Sequence, residues 1–141
     1  MQTFYPADPV TDYLKQRGFV PQVAYFESSA FVMGWRVHFD DFEWVYRVEG
    51  GMLTVCDFAA VDDPQGKGSS RAVAQFVALI QRIGRDVRGV QQVRGRFIEQ
   101  LSDTQLHQAR ERLANVLVAK GARWQTMEGE PWLVYAFGAG G

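Results

Sequence analysis

The spacing of apolar and polar residues changes several times along the chain, and each change predicts a different element. After Asp8-Pro9, the apolar residues Val10 and Leu14 follow at helical spacing. Asp8 can cap such a helix, Pro9 is well tolerated at its first position, and Gly18 is suited to end it. We therefore predict a first helix between Pro9 and Gly18.

Short aromatic and β-branched runs follow, separated by turns rich in Asp and Gly. Such runs predict strands that join in an antiparallel meander. The predicted strands are Val23–Glu27, Phe31–Phe39, Phe42–Val48 and Leu53–Ala60. The turns between the last three are Asp40-Asp41 and Glu49-Gly50-Gly51.

The second half of the chain returns to helical spacing in two places. A breaker-rich stretch, Asp62–Ser70, precedes an amphipathic helix that Gly84 loosens at its end. Ser102 and Gln105 are spaced as in a capping box and begin another helix, which Gly121 closes. The remaining predicted elements are a strand over Val90–Ile98 and a hairpin over Ala122–Met127 and Trp132–Phe137.

This order of elements predicts an α/β (α+β) protein with a mixed, mostly antiparallel central sheet and flanking helices. Neither a repeat nor a linker interrupts it, so we expect a single domain over residues 1–141, with a frayed tail at 138–141. The length of 141 residues suits one domain. A hydrophobic fraction of 47%, with 13% aromatic residues, supplies its core without cross-links.

Charge and the rare residue types exclude several functions. The formal net charge of −1 argues against a nucleic-acid or membrane partner held by overall charge. The single cysteine, Cys56, excludes an internal disulfide, and His38 and His107 lack ligand-spaced partners, so we expect no metal. No apolar run approaches the ~20 residues that span a bilayer, and the N-terminus has no signal-peptide pattern. We expect a soluble, cytoplasmic protein.

The glycine-bearing junction before the second predicted helix is the most informative local feature. Its residues are Gln65, Gly66, Lys67, Gly68, Ser69 and Ser70. Unpaired backbone N–H groups at a helix N-terminus bind phosphate, and Lys67 would add a positive charge. A plain surface turn in which a serine caps the helix explains the same residues.

The junction also resembles a known cofactor loop. Gln65-x-x-Gly68-x-Ser70 is similar to the Arg/Gln-x-x-Gly-x-Gly/Ala segment of the GNAT superfamily of N-acetyltransferases, and the predicted order of elements is similar too. The segment Leu113–Ala122 resembles the late helix of that superfamily. This resemblance implies a GNAT-like sheet, with the pyrophosphate of acetyl-CoA bound at residues 65–70.

Two positions depart from the superfamily pattern. Ser70 replaces the final Gly or Ala, and Leu117 stands where a tyrosine often serves as general acid. Leucine carries no proton that catalysis could use. Asp57 and Glu43 lie on predicted strands and could act as bases, although carboxylates on strand faces are more often simply solvated. We therefore assign no catalytic residue.

A second resemblance extends over residues 8–137, to the LcrR-type low-calcium-response proteins of type III secretion systems. The elements similar in order are the Asp8-Pro9 helix, the Trp35-Arg36-Val37 strand, the strand at Arg47, the alanine-rich helix, Gly121-Ala122 and the strand at Trp132. This resemblance implies a cytoplasmic accessory or regulatory protein that tunes secretion or supports a secreted substrate. It assigns no catalytic residues.

Twelve of the 15 basic residues are arginines, and five of these arginines are close together in the sequence. The clustered arginines are Arg82, Arg85, Arg88, Arg94 and Arg96, with Asp86 the one acidic residue among them. Helical spacing places Arg82 and Arg85 on one face, and strand alternation does the same for Arg94 and Arg96. A solvated polar face and an acidic protein partner both fit this cluster, whereas nucleic acid fits the net charge poorly.

Tryptophan lies only on predicted strands, where core packing is the default and an exposed interface is the alternative. The four positions are Trp35, Trp44, Trp124 and Trp132.

Together these patterns favour a non-catalytic accessory protein that binds a protein partner through the arginine cluster, without a cofactor. The alternative is an acetyl-CoA-dependent N-acetyltransferase that uses residues 65–70 as its cofactor loop. A small nucleic-acid-binding regulator is a third and weaker interpretation.

Overall fold

The computed structural model describes residues 8–25, 32–60, 68–95, 104–127 and 129–137. These residues form three helices and seven strands. In chain order they are α1 (Pro9–Gln16), β1 (Gln22–Tyr25), β2 (Val32–His38), β3 (Phe42–Glu49), β4 (Met52–Ala60), α2 (Gly68–Asp86), β5 (Gln92–Gly95), α3 (Thr104–Ala119), β6 (Arg123–Met127) and β7 (Glu130–Ala136).

All seven strands belong to one sheet, in the order β1-β2-β3-β4-β5-β7-β6. Neighbouring strands run antiparallel except β4 and β5, whose parallel pairing joins the meander to the C-terminal strands. The predicted class, a mixed and mostly antiparallel sheet with flanking helices, is confirmed. The order of elements is also the one that the sequence predicts.

Several of the sequence predictions fall wholly or partly outside the described residues, among them residues 26 and 27 of the first predicted strand and residue 31 of the second. The strand predicted over Val90–Ile98 begins at Gln92, two residues later than predicted, and its residues 96–98 lie outside the described part of the chain. Ser102 of the predicted capping box lies in the gap before α3, and the tail predicted to fray at 138–141 lies outside as well.

The three helices pack on one face of the sheet, which we call the helix-covered face. A hydrogen bond joins Thr11 of α1 to Tyr46 of β3, with 2.8 Å between the two hydroxyl oxygens. The ring of Phe76 in α2 contacts three rings of the sheet, those of Phe42, Trp44 and Phe58. α3 packs beside α2 and over β4. These fully buried rings form the centre of the core, since large aromatic side chains contribute the most buried apolar area.

A bulge in β4 changes which side chains reach that core. Adjacent residues of β3 pair with Val55 and Asp57, so Cys56 is the extra residue between the two pairs. An inserted residue reverses the alternation of side chains beyond it. Val55 and Phe58 therefore both point towards the helices, and Asp57 points to the opposite face of the sheet.

The first helix begins and ends where the sequence predicts. The carboxylate of Asp8 accepts hydrogen bonds from the backbone N–H of Thr11 at 2.6 Å and from its hydroxyl at 2.9 Å. Gly18 has a φ of 91°, a left-handed conformation that favours glycine and ends a helix. Local chemistry thus sets both ends of α1.

Gly84 has a packing role that its position near a helix end did not suggest. α2 continues through Gly84 to Asp86. A Cβ atom at position 84 would overlap the ring of Phe137, which follows β7. The missing side chain is therefore what allows the ring to pack against the helix.

Candidate functional site

The junction between β4 and α2 carries the predicted cofactor loop. Its first residues, Gln65, Gly66 and Lys67, lie outside the described part of the chain. α2 begins at Gly68, and the backbone of Ser69 and Ser70 belongs to its first turn. That turn contains no acidic residue, so the positive end of the helix dipole is not neutralised by a carboxylate of its own turn. A helix end without such a carboxylate can accept an anion, and cofactor binding at residues 65–70 stays a prediction.

The parallel pairing of β4 and β5 covers a small apolar cavity. The pairing joins Met52–Val55 to Gln92–Gly95, and the cavity of about 10 Å³ beneath it has room for about one water molecule. Leu117 lines this cavity together with Phe76 and Ile80, and it is only 4% exposed. The position that resembles the general acid of N-acetyltransferases is therefore occupied by a core residue.

The arginines that cluster in the sequence are divided between the two faces of the sheet. Arg82 and Arg85 lie exposed on the last turns of α2, and Arg88 lies in the turn that follows. Arg94 is on β5, where its neighbour Val93 belongs to the core under the helices, so alternation directs Arg94 to the opposite face. Arg96 lies outside the described residues.

Asp86, at the end of α2, brings a further arginine beside this cluster. Its carboxylate lies 3.5 Å from Nη2 of Arg17 and 3.3 Å from Nε of Arg85, and it accepts a hydrogen bond from Tyr13 at 3.1 Å. The hydrogen bond from Tyr13, assisted by those two guanidinium groups, lowers the pKa of Asp86. We use the name basic surface for Arg17 and Arg85, which contact Asp86, together with the exposed Arg82 and Arg88 near the end of α2.

Arg17 is the member of the basic surface that sequence reasoning missed. It stacks over Tyr13, with its Cζ atom 4.5 Å from the ring centroid, at the end of α1. The spacing of these two residues is a local helical pattern, but no local pattern indicates that the end of α1 lies beside the end of α2. Only the packing of both helices on one face of the sheet brings Arg17 to Arg85.

Arg94 is held by contacts on the opposite face. Its Nε donates a hydrogen bond to Oγ1 of Thr54 at 3.1 Å, and its Cζ atom lies 4.3 Å from the centroid of the Trp132 ring. Its Nη1 also lies 3.5 Å from Sδ of Met127. These contacts give Arg94 a packing role within the sheet, and its contribution to partner binding stays a prediction.

The two carboxylates considered as catalytic bases also lie on that opposite face. Glu43 accepts a hydrogen bond from Nη1 of Arg36 at 2.9 Å and lies 2.8 Å from Nδ1 of His38. Asp57 accepts one from the backbone N–H of the next residue at 3.0 Å. The sheet separates both carboxylates from Leu117, so the three positions do not line a common cleft.

The cysteine and the histidines offer no metal site in the part of the chain that the structure describes. Burial raises the pKa of the Cys56 thiol, which favours its protonated form. No group of three or more His, Cys, Asp or Glu side chains is placed to hold a metal ion among those residues. The side chain of His107 falls outside them.

The four tryptophans occupy different environments. Trp44 is fully buried and stacks on Tyr46, and Trp35 is partly buried against the core. Trp132 lies under Arg94 on the opposite face, whereas Trp124 on β6 is 52% exposed. Core packing is therefore correct for Trp44, and Trp124 is the one with a surface available for an interface.

Comparison of the chain with models of known protein families finds no match, and comparison with curated proteins finds none either. Among the described residues, none of the helices combines the length and apolar character that crossing a bilayer requires.

Proposed function

We propose that this chain is a cytoplasmic, non-catalytic accessory protein of a type III secretion system. In this role it binds a protein of the apparatus or a secreted substrate. The observation that carries the binding role is the basic surface, where the side chains of Arg17 and Arg85 are 47% and 71% exposed and share one carboxylate. The assignment to type III secretion rests on the resemblance in the order of elements to the LcrR-type proteins.

The basic surface favours a partner segment rich in Asp or Glu. Arg17 and Arg85 share the carboxylate of Asp86, and Arg82 and Arg88 form no ion pair with any residue that the structure describes. Complementary charge steers association and sets the orientation of a partner more than it adds affinity. Because the whole chain carries a net charge of −1, such a local surface favours an acidic protein over a nucleic acid.

The positions of the candidate catalytic groups support a non-catalytic role. General acid–base catalysis needs its proton donor and acceptor within reach of one substrate. Here Leu117 fills the candidate acid position inside the core, and both candidate bases lie across the sheet from it. Each candidate base already accepts a hydrogen bond from this chain.

The test is recovery of a partner from bacterial cells in which the secretion system is induced. The wild-type protein and the Arg82→Glu/Arg85→Glu variant are used as bait. We expect the wild type to retain a secretion component and the variant to lose it, since reversed charges repel an acidic segment.

Arg71→Glu is the control, because it reverses an exposed arginine charge at the other end of the same helix, where Arg71 is 68% exposed, although it makes half the charge change of the double variant. It should retain the partner. Recovery of no secretion component by the wild type contradicts the proposal. Equal recovery by all three proteins removes the basic surface from it.

An acetyl-CoA-dependent N-acetyltransferase is the second candidate function. The observation that favours it is the observed order of meander, α2, β5, α3 and hairpin, which agrees with the order that the GNAT resemblance implies. The start of α2 at Gly68, with no acidic residue in its first turn, also suits a pyrophosphate.

Thermal unfolding with acetyl-CoA tests this candidate. A ligand at a hundred times its dissociation constant stabilises the folded state by about 2.7 kcal/mol, so binding should raise the melting temperature clearly. Lys67→Glu should abolish that rise by placing a negative charge in the loop. An unchanged melting temperature in excess acetyl-CoA eliminates the candidate.

A further inference from the structure

The strand β6 forms one edge of the sheet and is exposed along most of its length. Arg123, Trp124, Gln125 and Thr126 are all exposed. β7 is its one neighbour in the sheet, and no backbone hydrogen bond reaches its outer side from another described residue. An edge of this kind can pair with another strand.

The register of the hairpin shows which backbone groups point outwards. Met127 pairs with Glu130 across a two-residue connection, and the pair that closes such a hairpin exchanges hydrogen bonds. Alternation then directs the N–H and C=O groups of Gln125 towards β7 and those of Trp124 and Thr126 outwards. Pro131, which lies opposite Thr126 and has no N–H, agrees with this pattern.

The opposite edge of the sheet is protected in a way that β6 is not. β1 has four residues, and its register shifts between Ala24 and Tyr25. Short edge strands and irregular pairing hinder the addition of another strand. β6 pairs with β7 over five residues without a shift and contains neither proline nor lysine.

We propose that β6 pairs antiparallel with β6 of a second copy of this chain, about a two-fold axis at Gln125. Trp124 then lies opposite Thr126 of the second copy, so the outward backbone groups of both residues are satisfied on both strands. Arg123 lies opposite Met127 of the second copy, which keeps the two arginines apart. The two Trp124 side chains become diagonal neighbours on one face, close enough for contact between aromatic rings.

This interface is isologous, since each copy contributes the same strand, and it closes as a dimer. It is independent of the proposed function, because it uses none of the arginines of the basic surface. The exposed Trp124 ring is covered in the pair, which gives a physical reason for a large apolar side chain at that edge.

Cross-linking tests the register directly. In a Cys56→Ser background, Gln125→Cys places two thiols on the axis, where the Cα atoms of such a pair are about 4.5 Å apart, within disulfide range. Arg123→Cys separates its two thiols by about four residues along the strand, or roughly 13 Å. We expect a disulfide-linked dimer from Gln125→Cys and none from Arg123→Cys, on non-reducing gels after mild oxidation.

Measurement of the molar mass in solution, over a broad range of protein concentration, tests the dimer itself. The wild type should reach twice the 16.0 kDa of one chain. Thr126→Pro should be monomeric, because it removes an outward N–H that β7 does not use, whereas Thr126→Ala keeps that N–H and should remain dimeric. Circular dichroism confirms that both variants fold.

A wild type that stays monomeric at every concentration overturns the proposal, and so does equal cross-linking of Gln125→Cys and Arg123→Cys. If the protein is a monomer whose β6 pairs with a strand of another protein, the proposal is overturned as well. A dimer that Thr126→Pro leaves intact overturns it as well.

Discussion

At Gly84 the absence of a side chain leaves room for the ring of Phe137 against α2. Glycine in a helix normally weakens it and is read as a place where the helix ends. Here its spatial neighbour comes from the end of β7, and the chain gains an aromatic contact between two elements that are far apart in sequence. Gly84 therefore weakens its own helix locally but allows the tertiary contact between α2 and Phe137.

We expect Gly84→Ala to destabilise the protein. In an exposed helix this substitution stabilises by about 1 kcal/mol, but the added methyl group here overlaps the Phe137 ring, and overpacking costs about 1–3 kcal/mol. Urea unfolding of the single variant measures the change. In a Phe137→Ala background the same substitution should become stabilising, and a stabilised single variant would show that the overlap has no effect.

Tyr46 and Thr11 form a buried hydrogen bond that ties α1 to the sheet. Tyr46→Phe removes the hydroxyl that Thr11 meets at 2.8 Å, and we expect a loss of about 1 kcal/mol in the free energy of unfolding. In a Thr11→Val background the Tyr46 hydroxyl has lost this partner, so Tyr46→Phe should cost little or nothing there. Equal costs in both backgrounds would rule out an energetic coupling of the pair.

The caps of α1 show which single-residue roles the sequence alone can predict. Asp8 and Gly18 act on backbone groups within a few positions of themselves, so their types and spacing are sufficient evidence. The role of Gly84 depends on Phe137, and that of Arg94 depends on Thr54 and Trp132. Those partners become neighbours only when the sheet has formed.

The helices and strands were predictable as elements because each has its own apolar period. The meander, α2, α3 and the final hairpin all occur in the predicted order. The bulge at Cys56 was not predictable, because an extra residue in β4 is defined only by the strand that pairs with it. As a result, simple alternation along β4 assigns Asp57 and Phe58 to the wrong faces.

Asp86 joins α1 to α2 through Tyr13, Arg17 and Arg85, and this contact predicts a dependence of stability on pH. The pKa of Asp86 is lowered in the folded state, which means that the charged carboxylate stabilises the fold. The resulting stabilisation is present at neutral pH and is lost as the pH falls through the folded pKa. Asp86→Asn should therefore be less stable than the wild type at pH 7, and the difference should disappear in acid.

Unfolding by urea at a series of pH values measures this difference. Asp40→Asn, in the exposed turn before β3, is a control with the same change of charge. It shows what the loss of one exposed carboxylate does to stability without the contacts that Asp86 makes. A difference between wild type and Asp86→Asn that is constant from pH 7 into acid would contradict the assignment.

At the scale of the whole molecule, the sheet decides which arginines can act together. The sequence groups Arg82, Arg85 and Arg88 with Arg94, but the chain crosses from α2 into β5 between them. The structure replaces that grouping with another, in which Arg17 joins the basic surface and Arg94 belongs to the opposite face. A binding surface proposed from sequence proximity alone would mix two sides of the molecule.

This division predicts different effects for two arginine-to-alanine substitutions. Arg94→Ala should lower the free energy of unfolding by about 1–2 kcal/mol, because it removes a hydrogen bond to Thr54 and a stacking contact with Trp132. Arg82→Ala should change it by less than about 0.5 kcal/mol, since Arg82 is exposed on α2. Equal effects on stability would contradict the two roles.

The apolar periods, the caps and the breaker residues determine the helices, the strands, their order and the α/β class, since each of these depends on residues a few positions apart. Contacts between distant segments decide on which face of the sheet each side chain lies and where the bulge in β4 occurs. They also decide where the Phe137 ring packs and which arginines form the basic surface. Strand pairing and helix packing create those contacts. The same local sequence pattern is compatible with several different pairings and packings, so it cannot specify them by itself. The chemistry of the arginines is therefore present in the sequence, whereas the surface they form exists only in the folded sheet.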